Sequence, residues 1–447
     1  MIQIRRNFWV VLILLLASIG AAVISGRSIY YRLIYLWSLI IVTSFIWTLL
    51  SLRGLNVNRH ARTMRQQVGQ IFEERFDVSN KSRFPRLWVV LKDQSALPGN
   101  SGSRVLTWIG GRQQRTYLSY TWLTRRGQFP LGPTVLESGD LFGLFVSQKF
   151  IPASTSILVT PYIVGIQAFP APPGLLPGGR ALQRKTHEVT PYAAGVREYV
   201  FGDSLNRIHW QSTARRDRLM VKEFEQDPQA DVWIFIDAQQ SIQAALPEVT
   251  PELKGDRLWL WRSRPDEVTL PPSTIEYAVS VAASLSQFYI QQGRAVGLVS
   301  AGQNYMILPA ERGERQLGKI VDTLAFLQAD GELPMIGLTA MQASHLPRGS
   351  TVVIITPSIQ KSIAVAAADL AQRTLQPVVV FLDPSTFGGT RSTAGVAAAL
   401  AERGITSIQI ANGADLKSTL EQSSLGQMSA ANWWSAHQVS EETTNAA

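Results

Sequence analysis

Hydrophobic and polar positions follow three rhythms along this chain. Phe8–Ser25 and Leu33–Leu52 are apolar runs without a charged side chain, each about the 20 residues that cross a bilayer core as a helix. The stretch Gly26–Arg32 between them leaves room only for the turn of a helical hairpin. From Ile71 to about Tyr162 the pattern shortens to segments split by Gly, Pro and Asn: Ile71–Val78, Arg86–Lys92, Arg104–Ile109 and Arg115–Leu123. Arg115–Trp122 alternates with period two, the mark of a half-buried strand. Short strands at this spacing predict a small all-β, sandwich-like domain of immunoglobulin-like build.

From Asp231 the rhythm changes again. Val232–Ile236 is a wholly apolar run with β-branched and aromatic residues, the pattern of a strand buried on both faces, and it ends at Asp237. Ser273-Thr274-Ile275-Glu276 is a capping box opening a helix that closes near Gly293, with Ile275, Val279, Ala282, Leu285 and Tyr289 as its apolar stripe. Ala295–Val299 and Tyr305–Leu308 read as a hairpin, followed by a helix near Glu314–Gln328. Then come strand Thr351–Thr356, helix Ser362–Thr374, strand Val378–Leu382, helix Thr393–Arg403, strand Ile405–Ile410 and a last helix from Asp415. This alternation predicts an α/β domain with a doubly wound, mainly parallel, Rossmann-like sheet.

Between the two domains, Phe169–Arg180 is a Pro/Gly-rich connector. After it, Asp203 or Ser204 is placed to cap a short helix Leu205–Ala214, and Leu219–Glu225 reads as extended. The expected organisation is a transmembrane hairpin over 1–54, a β-sandwich-like domain over 55–168, a connector over 169–230, the α/β domain over 231–422 and a disordered tail over 423–447. Leu246–Pro272 is a long segment where a few residues usually suffice. It carries Trp259 and Trp261 with Arg257, Arg262 and Arg264. Two readings stand: a loop that buries its own tryptophans, or an exposed aromatic and arginine surface for a partner.

Charge decides which way the hairpin points. The net charge of +9 suggests nucleic acid, but residues 1–70 hold eight Arg and no Asp or Glu, leaving 34 basic against 33 acidic residues beyond. The net excess thus sits around the apolar runs, where it reads as a topology signal rather than a phosphate-neutralising face, and nucleic acid is not an expected partner. Arg5 and Arg6 precede the pair of runs and Arg53, Arg59, Arg62 and Arg65 follow it, against Arg27 and Arg32 in the turn. The positive-inside rule puts both ends and the bulk of the chain in the cytoplasm, in a multi-pass protein of the cell membrane. A cleaved signal peptide is the competing reading of the first run; the immediate second span and the length of the first favour the uncleaved hairpin. The chain has no cysteine, which excludes disulfides, thiolate metal sites and cysteine nucleophiles.

A dense polar stretch joins connector and sheet: Gly195-Val196-Arg197-Glu198-Tyr199, Gly202-Asp203, Arg207-Ile208-His209-Trp210, Ala214-Arg215 and Val221-Lys222-Glu223-Phe224-Glu225. With Arg125–Pro133 and Asp140-Leu141-Phe142-Gly143-Leu144-Phe145 upstream, this pattern resembles family fifty-eight of the prokaryotic domains of unknown function. The resemblance implies a membrane-anchored protein with a von Willebrand factor A-like domain, often encoded beside MoxR-type AAA+ ATPases. Von Willebrand A domains hold a divalent cation through a D-x-S-x-S loop, a Thr of a second loop and an Asp of a third.

Here the first loop is Asp237-Ala238-Gln239-Gln240-Ser241, so Gln239 replaces the middle Ser. Pro309–Gly313, taken as the second loop, offers no Thr, and Thr356-Pro357-Ser358 offers no Asp. Asp237 and Ser241 alone are weak candidates for metal, and no cofactor is expected, because one carboxylate poorly repays the dehydration of Mg²⁺. Asp203, His209 and Ser212 can be written as a hydrolase triad, but no nucleophile elbow precedes Ser212. Arg197, Asp203, Arg207, His209, Arg215 and Glu223 are read instead as a salt-bridge network, with Trp210 as a buried anchor. The functional expectation is a non-enzymatic adaptor that binds a protein partner through Asp237, Gln239, Ser241, Trp259, Trp261 and Arg262, in envelope or complex assembly. The alternatives are a hydrolase on Asp203 and His209 and a metal-dependent ligand-binding module at Asp237.

Overall fold

The computed structural model describes residues 2–99, 102–169, 193–200, 208–224, 231–247 and 268–421. The chain divides into two compact units: Met1–Ile163 with Ala245–Ala283 and Val321–Leu327, and Val164–Ala244 with Ser284–Ile320 and Gln328–Ala447. The Pro/Gly-rich connector beyond Phe169, Asp203, Arg207, the tryptophans of the long segment and the tail from 422 lie outside the described residues.

In the first unit, α1 (Arg6–Ser25) and α2 (Ser28–Ser51) are each long and apolar enough to cross a membrane. The turn is shorter than the seven residues expected: Gly26, at φ 63°, ends α1 with its N–H on Ala22 O, and α2 starts at Ser28. Tyr30, Tyr31 and Arg32 thus belong to the helix. The buried positions Ser18, Ala22, Ser44 and Thr48 are small, and the hydroxyls of Ser18 and Thr48 return to Leu14 O and Ser44 O at 2.7 and 2.9 Å. Small contacts and hydroxyls satisfied within their own helix suit an apolar solvent.

The strands of this unit are β1 (Ile2–Ile4), β2 (Leu55–Ala61), β3 (Arg65–Gln67), β4 (Ile71–Asn80), β5 (Arg86–Asp93), β6 (Arg104–Ile109), β7 (Gln114–Trp122), β8 (Gly127–Pro130), β9 (Thr134–Gly139), β10 (Phe145–Ile151) and β11 (Ser156–Thr160). They form sheets β1-β10-β9-β5-β6, β2-β4-β7 and β3-β11-β8. Phe76, Val78 and Tyr117 of the second sheet share one core with Val89, Leu91, Ile109 and Leu136 of the first, the layered packing that alternating strands require. Because β1 pairs with β10, the chain leaves for the hairpin from this domain and returns to it.

Two arginine side chains of the unit are nearly buried beside carboxylates. Arg59 pairs with Glu74 and Asp93 at 2.5 and 2.9 Å. Arg126, in the Arg125–Pro133 stretch, donates to the carbonyls of Leu324 and Leu327 and pairs with Glu276. The long segment is closed at its neck, where Leu246 N donates to Pro272 O at 2.9 Å, and Val268 and Leu270 pack on the Phe72, Leu123 and Ile157 core.

In the second unit β12 (Ala193–Glu198) and β13 (Met220–Phe224) form an antiparallel ribbon, with α3 (Trp210–Arg216) between them in sequence. The remaining strands are β14 (Val232–Ile236), β15 (Val296–Ala301), β16 (Tyr305–Glu311), β17 (Thr351–Thr356), β18 (Gln376–Leu382) and β19 (Thr406–Ile410). Their order is β16-β15-β14-β17-β18-β19, parallel except for β16. Counted from β14 this is 3-2-1-4-5-6, the order of a doubly wound sheet. The helices that alternate with these strands in sequence are α4 (Thr274–Gln291), α5 (Glu314–Phe326), α6 (Met335–Ala343), α7 (Ser362–Gln372) and α8 (Ala394–Ala401), of which α4 up to Ala283 and α5 from Val321 are counted in the first unit. Helix α6 has no counterpart among the elements expected from sequence. Its side chains Met335 and Leu338 join Phe235, Ile354, Leu370 and Phe381 in a core of the sheet.

Candidate functional site at the strand edge

In a sheet of this order the crevice opens where strands 1 and 4 part, outside their carboxyl ends. Here those strands are β14 and β17, which end at Ile236 and Thr356. Asp237 follows β14 directly, and its N–H donates to Ile355 O at 3.0 Å. The carboxylate is turned inward and only 2% of the residue is exposed. Thr356 Oγ1 donates to Asp237 Oδ2 at 2.7 Å, and Gln239 N donates to Oδ1 at 3.2 Å. Burial pushes the carboxyl pKa up to about 6, against the opposing pull of these two hydrogen bonds.

The rest of the turn is closed in the same manner. Gln243 Nε2 donates to Asp237 O at 2.8 Å, and Gln239 Nε2 to Ser241 Oγ at 2.8 Å. Ser358 N donates to Thr356 Oγ1 at 3.0 Å, which fixes that hydroxyl from the other side. Gly331 lies against the turn: its N–H donates to Ala238 O at 2.9 Å and its carbonyl accepts from Gln240 N at 2.8 Å. A Cβ at position 331 would collide with Ala301 O, so only glycine permits this approach.

Two expectations change. The second loop was placed at Pro309–Gly313, but β16 continues through Glu311 and pairs there with Val296, at the opposite end of the sheet from Asp237. The segment that reaches the edge is Asp330-Gly331. Little in the hydropathy signals this: Pro309 follows the apolar run Tyr305–Leu308, yet β16 is an edge strand and carries on through it. Asp237 was expected to touch a partner, and its burial prevents that; the half-buried Gln239 and the exposed Gln240 and Ser241 form the accessible rim. Thr356, at the strand end where the cation-binding pattern calls for an Asp, is the direct partner of Asp237.

Mg²⁺ requires near-octahedral oxygen ligation, and the residues present do not fit it. The one carboxylate already accepts two hydrogen bonds and Ser241 Oγ accepts from Gln239. Among the described residues no cluster of three or more His, Asp or Glu stands together.

In the signature stretch the described helix runs Trp210–Arg216, after Ile208 bridges to Val221 as extended chain, and the expected start at Leu205 lies outside the described residues. His209 is its N-cap: Nδ1 accepts Ser212 N–H at 3.2 Å, and Ser212 Oγ lies 2.8 Å from the same nitrogen. A capping contact accounts for the His209 and Ser212 pair without catalysis, and Asp203 is outside the described residues. Trp210 is 68% exposed and is no core anchor. Ile208, Met220 and Val221 are buried instead. Glu198 pairs with Arg218 at 2.8 Å, and Arg215 is exposed near the end of α3. Arg197, Lys222 and Glu223 lie on the ribbon, where Arg197 stands opposite Val221 and Gly195 opposite Glu223.

The upstream Asp140–Phe145 stretch folds around its acid. Asp140 is buried and accepts the N–H groups of Phe142, Leu144 and Phe145 at 2.8–2.9 Å. This leaves Leu141 and Phe142 projecting at 70% and 55% exposure, beside Asn7 of α1, which donates to Phe142 O.

Among solved structures, the chain is similar to the CARDB domain of the PF1109 protein of Pyrococcus furiosus at 12% identity, covering 24% of this chain and 91% of that one, with a TM-score of 0.17. It is also similar to the pilus adhesin SpaC of Lactobacillus rhamnosus GG at 8% identity, covering 47% and 31%, with a TM-score of 0.29. Scores this low carry no argument. Among curated proteins the chain is 22% identical over 340 residues to the "Uncharacterized protein YeaD" of Bacillus subtilis (strain 168), covering 73% of this chain and 76% of that protein. Residues 195–246, which hold the ribbon, α3, β14 and the Asp237 turn, match the family model described as "Protein of unknown function DUF58". Both comparisons support kinship with that family of uncharacterised proteins.

Proposed function

We propose that this protein is a non-enzymatic adaptor anchored in the cell membrane by α1 and α2, whose von Willebrand A-like domain docks a protein partner at the edge of β14 and β17. The observation that carries the reading is the Asp237 turn. A carboxylate at the switch point, turned inward and bonded to Thr356 and Gln239, leaves a neutral rim of Gln239, Gln240 and Ser241. Uncharged amides and hydroxyls offer hydrogen bonds to a protein surface without the dehydration that an ion demands.

The family resemblance makes a MoxR-type AAA+ ATPase the partner to test, in envelope or complex assembly, with Trp259, Trp261 and Arg262 as a second contact. Return of both hairpin ends to the β-domain supports a single cytoplasmic side for the bulk of the chain, as the arginine distribution does.

The test is a photocrosslinker at Gln240, installed in cells that express the full chain. The expected product is an adduct with the AAA+ ATPase that persists in EDTA and weakens when Trp259 and Trp261 are both changed to Ala. No adduct from Gln240 would remove the edge from the proposal; an adduct lost in EDTA would restore the metal-dependent reading.

A further inference from the structure

The base of the hairpin contains a charge that its own fold leaves incompletely partnered. Arg86 opens β5 and is 3% exposed. One of its amino groups donates to Arg53 O at 2.6 Å, just past the end of α2. Its Nε is buried and makes no hydrogen bond. Among the described residues no carboxylate pairs with it; burial alone pulls its pKa below the ordinary guanidinium value. Arg59 and Arg126, nearly buried in the same unit, both have carboxylate partners.

Arg86 also lines a cavity of about 250 Å³ whose other walls include Thr43, Ile46, Trp47 and Leu50 of α2 and Phe84. The walls are apolar on the helix side and the guanidinium is their one charged group. Farther from the domain, Leu39, Val42 and Ile46 continue the exposed apolar face of α2. Phe84 is exposed at the same base, and so are Leu141 and Phe142 beside α1. Exposed aromatic and aliphatic side chains around the exit of a hairpin are placed at headgroup depth if the hairpin crosses a bilayer.

From this we propose that the hairpin base binds one anionic phospholipid of the leaflet nearest the β-domain, with its phosphate on Arg86 and its acyl chains along α2. The inference rests on the proposed membrane anchoring. The cavity suits a phosphate and its glycerol, and the chains run outside it over Ile46, Val42 and Leu39. A phosphate supplies both the missing negative charge and an acceptor for Nε. The carbonyl of Arg53 meets only one donor and brings no full charge, so capping of α2 does not by itself compensate Arg86. Phospholipid is favoured over a soluble anion because the rest of the cavity is largely apolar and one wall belongs to a helix long and apolar enough to cross a membrane.

The test uses the full chain, first checked for membrane integration by carbonate extraction, then purified in mild detergent and analysed by native mass spectrometry. Wild type should carry about one anionic phospholipid per chain, and R86Q should retain about tenfold less, the worth of one charge-assisted hydrogen bond. I46W, which fills the cavity without touching the guanidinium, should also lose the lipid, while R86K should keep part of it. After delipidation, phosphatidylglycerol should raise the Tm of wild type, and phosphatidylcholine and inorganic phosphate should not. An integrated protein without anionic lipid, retention by R86Q and I46W equal to that of wild type, or a response to phosphate equal to that to phosphatidylglycerol would overturn the inference. Wild type washed out by carbonate would overturn the anchoring as well.

Discussion

Asp237 and Arg86 are both buried, ionisable and placed at the mouth of a structural element, yet the fold treats them in opposite ways. Around Asp237 the chain supplies a hydroxyl, an amide and a close glycine, so the carboxyl is closed in by its own domain. Around Arg86 it supplies one carbonyl and an apolar wall. A buried polar group completed from within is part of the architecture; one left incomplete at an open cavity is where a ligand gains most. Position at a switch point or a helix end does not separate the two cases, whereas the accounting of each donor and acceptor does.

The largest expected effect sharpens the contrast with a fully paired charge. Arg59→Ala leaves Glu74 and Asp93 buried without their cation, and urea unfolding should show a loss of about 3–5 kcal/mol. Next is Asp237. Its native pKa of about 6 lies above the ordinary 3.8, so between these values the native state binds more protons than the unfolded one. Stability therefore falls as pH rises from about 4 to 6, by up to about 3 kcal/mol, and is flat above. Asp237→Asn should abolish that slope in unfolding curves measured across the window, and a retained slope would place the titration elsewhere. Arg86→Leu should shift stability by only about 1 kcal/mol in lipid-free detergent, because it removes an uncompensated charge along with one hydrogen bond. The smallest effect lies away from both centres: Trp210→Ala should stay within about 0.5 kcal/mol by thermal unfolding, as its exposure requires.

Much of the framework was legible because burial imposes period. The runs at Val232–Ile236, Thr351–Thr356 and Val378–Leu382 are strands, since a parallel sheet needs both faces apolar. The hairpin was legible for the same reason, although its turn was not: tyrosines and an arginine at the start of α2 interrupt the hydropathy without interrupting the helix. At the candidate site Asp237 was found from its place after a strand, but its burial and its bond to Thr356 are long-range facts that no local pattern carries. The far end of β16 is hidden by Pro309, which reads as the end of a strand although an edge strand tolerates it. Trp210 was read as buried on size alone, whereas the ribbon buries Met220 and Val221.

The claim on which the account turns is that the strand edge docks its partner without a cation. Calorimetric titration of Mg²⁺ into the full-length protein in detergent, comparing wild type with D237N, tests it most directly. The account predicts the same unsaturable dilution heat for both proteins. Saturable binding in wild type that D237N lacks would contradict it.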